Sequence, residues 1–262
     1  MNPWPVAAEA LSETDPASKC RRVDALWAAL GNGGLDAPPD RNQSVPAAGR
    51  PKRPVLVRPH ALPRRGLGTC EGRVALLHAV AHIEFNAINL ALDAALRFAD
   101  LPLDYYRDWL SVAFDEARHF RLLSDRLAEL GCAYGDLPAH NGLWDMAEKT
   151  AHDVLVRMAL VPRVLEARGL DVTPGMIERL AAAGDEASVA CLEVILAEEV
   201  RHVAIGSRWF GWLCAQRGLE PDATFERLLD EHFHGGLRGP FNLQARRQAG
   251  FSERELAGLA LS

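Results

Sequence analysis

Residues 114–120 read FDEARHF, an aspartate, a glutamate, an arginine and a histidine set between two phenylalanines in an otherwise apolar helical pattern. The order recurs at 197–203, AEEVRHV. Glu116 and His119, and again Glu199 and His202, stand at i, i+3, a spacing that aims two helix side chains at one point. Carboxylate and imidazole together suit iron or manganese. Upstream of each block a glutamate interrupts an apolar stripe. Glu84 shares its face with Leu77, Val80, Ala81, Ala87, Ile88 and Ala91, and Glu166 lies in line with Leu155, Ala159, Pro162 and Leu170, with Arg163 a turn away.

A buried carboxylate without a partner is costly, and four in one core repel one another unless strong positive charge lies between them. Two divalent cations meet that need. The spacing is matched: Glu84 to Glu116 is 32 residues and Glu166 to Glu199 is 33. Each half is thus a helical hairpin of the form Glu, then Glu-x-x-His, the ligand plan of dimetal carboxylate bundles. Asp115 and Glu198 precede the two ligand glutamates by one residue, rotated about 100° from the metal face. Asp115 is expected to accept the free ring N–H of His202, and Glu198 that of His119, fixing each imidazole; Arg118 and Arg201 compensate the acids. Singly, a buried glutamate is more often a salt-bridged core residue, and one Glu-x-x-His recurs by chance. Two such blocks with two upstream glutamates at matched spacing form a joint pattern. Conversely, His78, His82 and His152 lie off the ligand faces and read as packing or solvent-facing residues.

The elements that must carry these residues are helical almost everywhere after residue 70. Four long segments are expected at 71–99, 103–131, 143–169 and 186–217, with Pro102 opening the second and Gly131 and Gly169 closing the second and third. Gly184-Asp185 precedes the fourth, and a short separate helix is expected after Thr173-Pro174. Asp15-Pro16 starts a helix reaching Ala29, stopped by GNGG at 31–34, and shorter helices are expected at 222–232 and 252–260, joined by the Gly-rich HGGLRGPFN. The fold class is all-α: residues 1–70 form an N-terminal helix and a basic Pro-rich strap, 71–217 a four-helix bundle, and 218–262 a C-terminal helical arm.

With 262 residues, 48% of them hydrophobic, the chain can bury a large core. Its five scattered cysteines include no C-x-x-C pair, so they read as reduced thiols. The start lacks a basic-then-apolar leader, and no run of about eighteen uncharged apolar residues suggests a membrane span, so the expected location is the cytoplasm. A net charge of −6 argues against general nucleic-acid binding. Between Asp40 and Glu71, however, there is no acid, while Arg41, Arg50, Lys52, Arg53, Arg58, Arg64 and Arg65 stand among five prolines. Such a stretch cannot pack as a helix and is expected to lie across the chain's own acidic body or that of a partner subunit, which leaves a homodimer open.

Residues 71 to about 217 resemble the ferritin-like superfamily. More narrowly, LLHAVAHIEFNAINLALDAALRF, DEARHF, ALVPRVLEARGLDVTP and EEVRHVAIGSRWF, with the strap LPRRGLGT, resemble a bacterial ferritin-like family known as a domain of unknown function. The resemblance implies a non-haem dimetal site at Glu84, Glu116, His119, Glu166, Glu199 and His202. It also marks departures. The ribonucleotide reductase small subunit has a radical tyrosine about one turn past its first ligand histidine, where this chain has Leu123, and rubrerythrins add a cysteine-ligated iron domain that these cysteines do not build.

The reading is a non-haem oxidoreductase holding two iron ions, or manganese or a mixed pair, that uses O2 to oxidise or hydroxylate a small molecule with electrons from an external donor. A tRNA hydroxylase is a variant to which the strap lends weight; nucleic acid is otherwise not an expected partner. The rival is a metal-binding or iron- and peroxide-handling protein without an organic substrate, and a third reading keeps the six residues as a metal-free ionic network. Pro162, four residues before Glu166, is expected to kink or bulge its helix and open a coordination position.

Overall fold

The structure is a computed structural model describing residues 2–33, 35–62, 65–233 and 236–260. The described residues are all-α: their only bridge of strand type is the isolated pair Leu56 and Ala139. They form two compact units, Met1–Asp145 and Met146–Ser262.

Unit 1 is built on α3 (Cys70–Arg97) and α4 (Leu103–Glu129), packed against each other, with α1 (Trp4–Ser12) and α2 (Pro16–Gly33) alongside. Thr69 caps α3 by accepting the Gly72 amide, and Gly131, at φ 76°, ends α4 as the left-handed turn its position predicts. From Ala81 to Leu96 only Ile83 of α3 is exposed, so the helix is apolar almost all round because it is covered almost all round. It is long and apolar enough to cross a membrane, yet 72% of that apolar window is buried inside the protein.

α1 lies in a stretch where the sequence suggested no helix, and α2 runs past Ala29. Lys19, fully buried, donates to the carbonyls of Ala10 and Leu11 and to Asn89 Oδ1 at 2.7–2.8 Å, tying α1 and α2 to α3. Burial pushes its amine down to about 7. The strap is laid along its own unit: Val57 N–H donates to Ala139 O and Ala139 N–H to Val55 O, and Arg41 pairs with Asp100. Arg64 and part of LPRRGLGT lie outside the described residues, as do Gly34 of the expected helix stop and His234-Gly235 of HGGLRGPFN.

The loop after α4 is held onto α3 by two buried histidines. His78 Nε2 accepts the Gly135 N–H at 2.9 Å, and His82 Nδ1 lies 2.9 Å from Tyr134 Oη, with the Tyr134 ring stacked on both imidazoles.

Unit 2 pairs α7 (Ala167–Ala182) with α8 (Glu186–Gln216); α6 (Val154–Leu160), α9 (Pro221–His232), α10 (Leu243–Gln248) and α11 (Glu253–Ala260) complete it. The division between units falls in α5 (Gly142–Lys149). The third expected helix, 143–169, is not continuous. It breaks at residues 150–153, where buried Arg157 donates to Ala147 O and to Thr150 Oγ1, and where Asp153 caps α6 by accepting the Leu155 amide. Nor does Gly169 end a helix or Thr173-Pro174 begin one, for α7 runs through both. Proline 174 cannot supply the N–H that Leu170 O would otherwise accept; the Asn242 amide donates to that carbonyl instead, at 3.3 Å, so the usual penalty is softened.

Around Pro162 the chain widens into a π turn, Val161–Glu166, the bulged form its proline predicts. Gly206 of α8 lies directly beneath: a Cβ there would overlap the Pro162 ring.

Gly206→Ala is therefore expected to destabilise unit 2 by about 1–3 kcal/mol through overpacking; an unchanged urea midpoint would contradict this packing. A second expectation concerns pH. Burial lowers His78 and takes His82 down to about 4, from an ordinary 6.5. Both are neutral when folded and protonate first in the unfolded chain, so their contribution is intact above pH 6.5 and is lost as pH falls toward 4. The urea midpoint is expected to drop between pH 7 and 5.5, and less in a His78→Gln, His82→Gln variant; equal drops would contradict the assignment.

Candidate metal centre

In unit 1, α3 contributes Glu84 and α4 contributes Glu116 and His119, and all three side chains are buried. His119 Nδ1 lies 3.3 Å from Glu116 Oε2 and 3.4 Å from Glu84 Oε2, and the ligand atoms of the three lie within 4.8 Å of one another. The i, i+3 pair meets as the helix geometry requires, because one turn of α4 stacks His119 over Glu116. A single Nδ1 hydrogen cannot serve both carboxylates fully. It is shared with Glu116, and Glu84 Oε2, sealed from solvent, makes no hydrogen bond among the described residues.

Two carboxylates face one imidazole, with consequences for all three groups. Burial drives the Glu84 carboxyl well above the usual range, and the neighbouring Glu116 carboxylate adds to the rise. Burial alone would strip the His119 proton, but the bond to Glu116 and the adjacent Glu84 carboxyl outweigh it and lift the imidazole to about 11. Protons thus stand in for missing positive charge. Buried oxygen and imidazole donors this close together, with one oxygen lacking a donor, are compatible with a divalent cation.

Unit 2 contains the second set. Glu199 and His202 share a face of α8, His202 fully buried, with His202 Nδ1 3.6 Å from Glu199 Oε1. Glu166 is the last residue of the π turn and is partly buried. Arg163, a turn from Glu166, does not crowd its face: its guanidinium is tied to Glu255 of α11 at 2.7 and 2.8 Å.

The flanking charges differ in exposure. Asp115 accepts Arg118 Nη2 at 3.1 Å within α4, Glu198 is partly buried and Arg201 is exposed. The ring contacts of Asp115 with His202 and of Glu198 with His119 join residues of different units and stand as expectations. His78 and His82 serve the Tyr134 loop, while His152 is exposed with Nδ1 donating to Lys149 O. Two features went unread from sequence. The Tyr134 loop anchor has no short-range signature, whereas the role of Glu255 was legible in principle from Ser252-x-x-Glu255, a capping-box spacing.

Known proteins add a family and no activity. A protein of Haemophilus influenzae described as "Uncharacterized protein" is 46% identical over 264 residues, covering 97% of this chain and 92% of the relative. No solved structure matches. The family described as "Protein of unknown function (DUF455)" matches residues 12–257, nearly the whole length. With a match of that extent and a relative of that identity, the chain belongs to this family.

Proposed function

We propose that the chain is a ferritin-like dimetal oxidoreductase, a four-helix bundle in which Glu84, Glu116 and His119 of one hairpin and Glu166, Glu199 and His202 of the other hold two metal ions. Iron is the first choice, with manganese or a mixed pair as alternatives. The substrate class is a small organic molecule oxidised or hydroxylated with O2, and the electrons come from an external donor. The observation that carries the reading is the buried cluster of Glu84, Glu116 and His119, whose two carboxylates outnumber its one imidazole and whose Glu84 Oε2 lacks a hydrogen bond. An ionic network kept for its own sake would be expected to satisfy every member.

When bound, a reduced metal pair supplies the electrons and open coordination positions that O2 activation requires. The protein's part is to hold and shield. Glu116 and His119 are fully buried on a helix that α3 packs against, which keeps water from the donor atoms and fixes their separation. Arg118 balances Asp115 beside them. Leu123, fully buried where a radical tyrosine would stand, supports chemistry without radical storage.

Oxygen uptake after anaerobic loading with ferrous iron tests the reading. About one O2 is expected per ferrous pair, after which uptake stops until a reductant restores the electrons. Glu84→Ala, Glu116→Ala protein should take up none. Uptake that continues in proportion to excess ferrous iron, with no call for a reductant, would instead identify an iron-handling protein.

A further inference from the structure

The C-terminal helix is wired to the π turn that ends in Glu166. Arg163, the third residue of that turn, is 2% exposed, and its Nη2 donates to both carboxylate oxygens of Glu255 on α11. Three aromatic rings enclose the guanidinium, with its carbon 4.7 Å from the Phe210 centroid, 4.2 Å from Phe225 and 4.6 Å from Phe251. Nε donates to Ser207 of α8 at 3.2 Å. A charge this deep is expensive to bury and tolerable only with its partner in place, so the pair forms together or not at all.

Glu255 does not reach Arg163 by accident of packing. Ser252 and Glu255 form a reciprocal cap at the start of α11: Ser252 Oγ accepts the Glu255 amide at 3.1 Å, and Glu255 Oε2 accepts the Ser252 amide at 2.8 Å. The helix start thus holds the carboxylate in the orientation in which it meets Arg163. On the other side, Gly206 lets Pro162 close onto α8, and Gly250, at φ 84°, brings the arm against Ser207. The π turn is clasped from both sides, by α8 and by the C-terminal arm. Glu166 is its last residue.

We propose that α11 is a latch that positions Glu166: the Ser252–Glu255 cap orients the carboxylate, the carboxylate seats Arg163, and Arg163 sets the π turn whose end presents Glu166 to metal. The proposal rests on the dimetal reading and deepens it, since it makes the C-terminal arm a regulator of that site. Release of the arm would loosen one ligand while the Glu84, Glu116 and His119 cluster keeps its own support from α3 and α4. Arg163 and Glu255 are positioning residues, touching no metal themselves.

The test uses the full chain and cobalt(II) as the probe, read by its visible absorption and by mass-spectrometric stoichiometry, with backbone hydrogen exchange over 161–166 as a metal-independent readout. Glu255→Gln, which keeps a capping group but removes the charge, is expected to speed exchange in the π turn. It should weaken one of two cobalt sites by about 10- to 100-fold, the range typical of residues that orient a metal ligand. Glu166→Ala should weaken the same site with the exchange of 161–166 less affected. If Glu255→Gln does not fold, Ser252→Ala gives the milder form of the same test, with a smaller shift in the same direction. Wild-type uptake of two cobalt ions left unchanged by either foldable variant would overturn the latch alone. Failure of the wild-type protein to take up cobalt would overturn the dimetal reading, and the latch with it.

Discussion

Burying carboxylates is the constraint on which this protein turns. A glutamate sealed among apolar side chains must either hold a proton or face positive charge. Glu84 and Glu116 are sealed in that way, with His119 as their common neighbour. One imidazolium faces two carboxyl groups, one of which burial holds protonated, an arrangement compatible with metal binding. The rest of unit 1 reads as the support for that arrangement: an α3 covered nearly all round, an α4 whose one-turn stack brings Glu116 and His119 together, and a lysine that ties the two N-terminal helices to the same core.

Unit 2 solves a different problem, how to carry two prolines and two glycines through one long helical run. At Pro174 the orphaned Leu170 carbonyl is taken by Asn242, and at Pro162 the helix widens into a π turn accommodated by the bare Cα of Gly206. Both answers use residues far along the chain. The C-terminal arm, including the connection whose carbonyls at Arg238 and Pro240 accept from Arg168, is thereby bonded to the helix that follows Glu166.

How much of this was legible in the sequence follows from the range of the interactions. The paired Glu-x-x-His blocks, the caps at Asp15 and Asp185 and the turn at Gly131 are local, and their residues announce them. The bulge at Pro162 was readable for the same reason. Gly169 and Pro174 misled, because a helix-stopping residue was overruled by packing and by an amide 72 positions from the carbonyl it serves, which no local pattern encodes. The break at 150–153 was hidden likewise: it depends on buried Arg157 donating to the Ala147 carbonyl of α5 and to the Thr150 hydroxyl. α1 was missed because its residues are short and mixed, and its hold on the body is Trp4 and the Lys19 bonds rather than a strong apolar period.

The most direct test of the central claim is metal content by mass spectrometry, on protein produced with iron and, separately, with manganese, comparing the wild-type chain with a Glu116→Ala, Glu199→Ala variant. If the six residues hold two metals, the wild-type chain should retain about two equivalents of iron or manganese, and the variant should lose them while staying folded. Wild-type protein that carries no transition metal under either condition would contradict the account and reduce the six residues to a buried ionic network.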